Sequence, residues 1–134
     1  MINPNNVPPV DDDELLARFI LSSNEFRADD SARPVLFMPY RKVALSVNRH
    51  RDASPEETWQ IARAIASERK KILYGRSDIT ARACKVGSLS VVAKPLVPEN
   101  PNHAEIIGYP PTREDQKSLA QELAAAASRR LAPP

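Results

Sequence analysis

Two hydrophobic periodicities alternate along this chain, and each change of period marks the start of a new element. Leu15, Leu16, Phe19 and Ile20 fall on one helical stripe. The acidic run Asp11-Asp12-Asp13-Glu14 precedes them, where carboxylates suit the positive end of a helix, so the spacing predicts a first helix over 12–22. Val35-Leu36-Phe37-Met38, closed by Pro39, reads as a short strand. Val43, Leu45 and Val47 alternate with Ala44, Ser46 and Asn48, the period of a half-buried strand. Tyr40-Arg41-Lys42 between these two runs is a turn or a continuation.

The best-delimited element starts at Ser54-Pro55-Glu56-Glu57. Serine caps, proline fits the first helical position, and Glu57 closes a capping box. Ile61, Ile65 and Ile72 with Ala62 and Ala66 form the apolar stripe of this helix, and Tyr74-Gly75 supplies its stop. Ser77 then caps a shorter helix through Ile79, Ala83 and Val86, ended by Gly87. Leu89–Ala93 reads as a strand stopping at Pro95, and the prolines of 95–103 exclude regular structure there. Ala104–Tyr109 reads as a last strand, cut by Pro110-Pro111. Thr112 with Asp115 caps a final helix over 113–130, with Leu119, Leu123, Ala127 and Leu131 on one face. The pattern is that of an α+β fold: a small, mainly antiparallel sheet of about four strands, with three to four helices packed on one face.

A chain of 134 residues is expected to form one domain. The organisation read from it is an extended Pro/Asn-rich arm over 1–10, a single α+β domain over 11–131 and a tail over 132–134. No apolar stretch approaches the length of a membrane span, and the first residues show neither the basic start nor the apolar run of a secretory signal. Cys84 is the single cysteine, which excludes an intramolecular disulfide and a multi-cysteine zinc site and points to a reducing, cytoplasmic address. The abundance of Ala, Arg and Pro fits a GC-rich, bacterial genome.

Charge is unevenly placed. Residues 1–40 carry three basic and seven acidic side chains, whereas residues 41–94 carry twelve basic and five acidic. An acidic N-terminal third therefore precedes a basic middle, a layout that serves internal pairing, an acidic partner or nucleic acid. Within the basic segment 41–85, Arg49, Arg51, Arg69, Lys70, Lys71 and Arg76 are the candidate contacts, interleaved with Tyr40, Trp59 and Tyr74 as stacking faces.

Candidate chemistry is sparse. Gly75, Gly87 and Gly108 stand too far apart to cradle a phosphate, and Gly-x-Ser-x-Gly is absent. His50 with Asp52, and His103 with Glu105, would place imidazoles and carboxylates together only if their strand ends adjoin. Cys84 with a histidine is the alternative nucleophile–base pair, since Arg82 and Lys85 flank the thiol. No metal or other cofactor is expected. Asn100, Asn102 and His103 form a polar loop able to meet a partner or to make a turn. The motifs carry no resemblance to a family of described activity. The favoured reading is a binding module acting on a protein partner or on its own copies. Nucleic-acid binding through 41–85 is second, and a small hydrolase or metal-assisted enzyme using His50, Asp52, His103 or Cys84 is third.

Overall fold

Six residues that a helical stripe claims are in fact a strand. In the computed structural model, which describes residues 1–39 and 44–134, β1 runs over Leu15–Ile20. Leu16 and Ile20 are buried on one face of the sheet, Ala17 and Phe19 on the other. A strand buried on both faces loses its alternation and over six residues looks like a helix face. The carboxylates before it do not serve a helix terminus: Glu14 pairs with Arg49, Asp13 with Arg82, and Asp12 with Lys85 and Arg82.

The remaining elements are β2 (Ala44–Arg49), α1 (Pro55–Glu68), β3 (Gly75–Thr80), β4 (Ser90–Ala93), β5 (His103–Ile107) and α2 (Arg113–Ala126). Tyr40, Arg41, Lys42 and Val43 lie outside the described residues. The expected strand at Val35–Met38 is instead a 3-10 turn over Pro34–Phe37, started by Pro34 and burying Leu36 and Phe37. The expected short helix after Ser77 is β3 followed by a 3-10 turn over Arg82–Cys84. Ser77 and Asp78 are buried there because residues outside the sheet bond them, a reason no periodicity carries.

Both α-helices begin where their caps predict. Ser54 and Glu57 form the full capping box, and Thr112 accepts from the Asp115 N–H. Both end earlier than predicted. α1 stops at Glu68, with Lys70 in the left-handed region at φ 55°, so Ile72 lies past the helix and is 67% exposed. α2 stops at Ala126, because the next residues run along β3.

All sheet pairings are antiparallel, in the order β3-β1-β2-β5-β4. The fold is α+β with five strands and two α-helices, one more strand and fewer helices than the sequence implied. The helices also occupy both faces, not one. α2 and the Pro34–Phe37 turn cover the face of Leu16, Ile20, Leu45, Val47, Ile79 and Ile106. α1 covers the other face through Trp59, Ile61 and Ala62 against Ala17 and Phe19. Beyond β1 that second face turns polar, and the groove described below lies there.

The arm lies on the chain's own body: Ile2 is buried with its N–H on Asn102 Oδ1 at 2.9 Å, and Arg49 donates to the Pro8 and Pro9 carbonyls. No helix among the described residues is long and apolar enough to cross a membrane.

Candidate functional site

Cross-strand partners share a face of the sheet, so register alone assembles the polar set. Ala17 sits across from Asn48 and Asp78, and Asn48 across from His103. The face that carries α1 therefore also carries Ser46, Asn48, Arg76, Asp78 and His103.

The two histidines lie on this face and turn apart. His50 Nε2 meets Asp78 Oδ1 at 2.9 Å, toward β3. His103 Nδ1 meets the Lys94 carbonyl at 2.8 Å, toward β4. Asp52 does not join His50; it holds a left-handed turn position at φ 55°, and its carbonyl takes the Met1 ammonium. Among the described residues no three of His, Cys, Asp and Glu come together in a group able to hold a metal ion. Cys84 is fully buried on the opposite side of the sheet, in the core beneath α2. Burial pushes its thiol up to about 12, which keeps it protonated despite Arg82 and Lys85 nearby.

The six candidate cations do not form one stripe. Arg49 has no exposed surface and makes a two-pronged pair with Glu14, at 2.7 Å from each carboxylate oxygen. Arg76 bonds Asp78 at 3.1 Å, with its guanidinium 4.7 Å from the centre of the Trp59 ring. Trp59 is thus occupied by a cation of the same chain. Arg51 faces Asp11 and Glu14 at 3.7 Å and Asp52 at 4.0 Å. Arg69, Lys70 and Lys71 remain exposed past the end of α1, and Arg41 and Lys42 lie outside the described residues.

Burial works against ionisation of Glu14, but the bonds and charges of Arg49, the Asp11 N–H and Arg51 outweigh it and hold the carboxyl below its usual range. The acidic third and the basic middle thus meet inside one molecule.

What the polar face does present is a groove of about 830 Å³ between α1 and the loop joining β4 to β5. Gln60, Ala64 and Glu68 line its α1 wall, Leu96 and Glu99 its loop wall, and Ser46 and His103 its floor. Asn100 locks the loop from below, donating through Nδ2 to Asn48 Oδ1 at 2.7 Å. Asn102 is equally enclosed: its amide bonds the Arg49 and Arg51 carbonyls and the Ile2 N–H. Of the proposed loop residues, Asn100 and His103 both line the groove, Asn100 buried and His103 partly exposed.

Asn48 and Asn100 are 2% and 5% exposed, and the amide nitrogen of the first and the oxygen of the second lack a protein partner among the described residues. Turning both amides over only exchanges which donor and acceptor are left, so the floor of the groove keeps one of each.

The groove residues that sequence reasoning missed are Ser46, Ala64 and Leu96, with Asn48 beneath them. In the period-two pattern Ser46 and Asn48 read as solvent-side residues. Ser46 becomes a floor because a helix and a loop from elsewhere in the chain roof it, and Asn48 lies beneath the loop, bonded to Asn100. Arg18 was likewise invisible: where β1 and β2 part after two register pairs, it fills the gap, donating to the Leu36 carbonyl at 2.8 Å and to the Ser46 carbonyl at 3.0 Å.

No protein-family model, no curated protein and no solved structure matches the chain.

Proposed function

We propose that the chain is a protein-binding module whose α1–loop groove holds an extended, basic segment of a partner. One observation carries this reading: a groove of about 830 Å³ with an apolar lining, an acidic rim and a spare amide donor and acceptor beneath its floor. Ile61, Ile65 and Leu96 supply surface that an aliphatic side chain can cover. Glu57, Glu68 and Glu99 face Arg69 and the Met1 ammonium, which stands 3.7 Å from Glu57, so the rim keeps one net negative charge, which favours lysine or arginine in the occupant. A peptide backbone offers both an N–H and a C=O, the pair that Asn48 and Asn100 would satisfy after a small opening of the loop. The groove also suits a segment better than a folded surface, because a concave channel admits one chain and excludes two.

The remaining readings find less support. The enzyme reading lacks convergent groups around a cavity: neither Cys84 nor His50 lines the groove. The nucleic-acid reading loses Arg49 and Arg76 to internal pairs.

Panning a random peptide library displayed on phage against the whole chain tests the proposal. Basic peptides are expected to enrich and to bind less well as salt rises. Ala64→Trp, at an exposed α1 position, fills the groove and is expected to lower their affinity about tenfold or more without changing the melting temperature. Glu68→Gln is expected to weaken the same peptides by a smaller factor. No enrichment, or peptides indifferent to Ala64→Trp, overturns the reading.

A further inference from the structure

One edge of the sheet is unpaired among the described residues, and its geometry specifies its own occupant. We infer that two copies of this chain join through β4, edge to edge about a two-fold axis at Val92, into a continuous ten-stranded sheet. The backbone groups it uses lie apart from the groove, since Val91, Val92 and Ala93 do not line it, and Leu96 on the groove's loop wall is shared between the two surfaces.

The free groups follow from the register. Lys94 donates its N–H to the His103 carbonyl at 3.0 Å, and β4 pairs β5 through Ser90 with Ile107 and Val92 with Glu105. Antiparallel ladders alternate, so residues 90, 92 and 94 turn their backbone groups toward β5. Val91 and Ala93 turn theirs outward, and no described residue bonds them. The available edge is bounded on both sides: the Leu89 N–H already donates to the Val86 carbonyl at 2.9 Å, and Pro95 has no N–H. Two donors and two acceptors remain.

Those four groups are self-complementary. With Val91 of one copy opposite Ala93 of the other, each pair exchanges two hydrogen bonds, and all four groups on both copies are satisfied. The two Val92 side chains then face each other across the axis as a non-hydrogen-bonded pair, the closer kind, in which β-branched residues pack well. Ser90–Ala93 carries no charge to repel its copy, and the lysine and proline that blunt an exposed edge, Lys94 and Pro95, stand just past it and confine pairing to these residues. The same register carries Leu96 toward Ser88 of the second copy. Leu96 and Val97 are 50% and 59% exposed, and that end of the hairpin would gain cover.

Sedimentation velocity and light scattering of the whole chain over a broad concentration series give the test. The expected result is a monomer passing to a dimer as concentration rises, as suits a small interface. Val92→Lys places two ammonium groups across the axis and is expected to raise the concentration of half-association about tenfold or more. Val91→Pro removes an outward N–H, leaves the β4–β5 ladder its bonds, and is expected to do the same. Because the Val91 side chain also packs on the core, its monomer is expected to melt lower, and Val92→Lys, with the monomer's melting temperature retained, is the deciding variant. Ser90→Thr, on the same strand without a new charge, is expected to dimerise as before and so controls for fold damage. A monomer at every concentration overturns the inference. So does a dimer that Val92→Lys and Val91→Pro leave unchanged, which would place the contact on another surface or leave the edge to an unlike strand.

Discussion

The two edges of the sheet are finished in opposite ways. At β3 the residues after α2 run alongside the strand: Arg76 and Leu131 exchange backbone bonds at 3.0 and 2.9 Å, and the Ser128 N–H donates to the Asp78 carbonyl at 2.7 Å. The Ser77 hydroxyl donates to the Ser128 carbonyl, and the Ser128 hydroxyl accepts from the Asp78 N–H at 2.8 Å. Arg130 fixes this cover from outside, with Asp30 at 2.9 Å, the Tyr74 carbonyl at 2.7 Å and the Phe26 ring beneath it. At β4 no described residue plays that part. The sealed edge is built of polar residues and close backbone approach, the open one of small and β-branched residues with no charge. An edge closed inside the chain needs specific partners at each position. An edge left open needs only an absence of obstruction, and that is what a second copy can use.

Four measurements would break or sharpen this contrast. The largest effect is expected at Glu14, whose carbonyl accepts from Ala81 just past the end of β3 and whose carboxylate neutralises Arg49. Glu14→Gln leaves a guanidinium of no exposed surface without its counter-ion, and unfolding in urea should show a loss of about 3–5 kcal/mol. At the open edge Lys94→Ala, a charge removed from solvent, should stay within about 0.5 kcal/mol of the parent.

Gly75 comes next. It begins β3 at φ 142°, and a Cβ there would collide with the Leu131 carbonyl oxygen. Gly75→Ala should therefore cost roughly 2–4 kcal/mol, combining a strained backbone with an overpacked contact. It should also loosen the 128–131 cover, which hydrogen exchange at Arg76 and Leu131 would report as faster than at β2.

Acid should act on the sealed side through the same carboxylates. The Lys85 ammonium bonded to Asp12 holds that carboxyl below its usual 3.8, and Glu14 lies below 4.5 for the reasons given. A carboxyl depressed in the folded state contributes stability that is complete above its unfolded pKa and is lost as pH falls through the folded one. The urea midpoint should thus hold between neutrality and the upper fours and drop below them. Glu14→Gln should flatten that drop, and a midpoint independent of pH in both proteins would remove Glu14 from the account.

The smallest signal is the rate at which Cys84 is alkylated. With its thiol at about 12 and fully buried, it should react at mildly alkaline pH far more slowly than a free thiol. Because Cys84 follows β3 in the next turn, Gly75→Ala should speed its labelling, whereas Val92→Lys at the other edge should not. Equal acceleration by both would mean that the edges are not independent.

The chain's own residues determined what local chemistry can determine. Ser54, Pro55 and Glu57 start α1, and Thr112 with Asp115 starts α2, because a cap bonds backbone only a few residues away. The alternation of Leu45, Val47 and their neighbours marked β2, and Pro95 marked where β4 stops. Class and antiparallel sheet followed from these. Tertiary structure alone decided the rest, since the deciding partners lie far along the chain. Leu15–Ile20 became a strand because both of its faces are roofed, and Gly75–Thr80 because residues 128–131 supply bonds from some fifty positions away. The same holds for the groove. Asn48 meets Asn100, and Ser46 faces α1 across the groove, only once β2 and β5 are in register. A spacing pattern records which neighbours a residue has within a turn or two of backbone. Burial of a polar side chain, closure of an edge and the roof of a cavity are set by contacts between distant segments, and no local period encodes them.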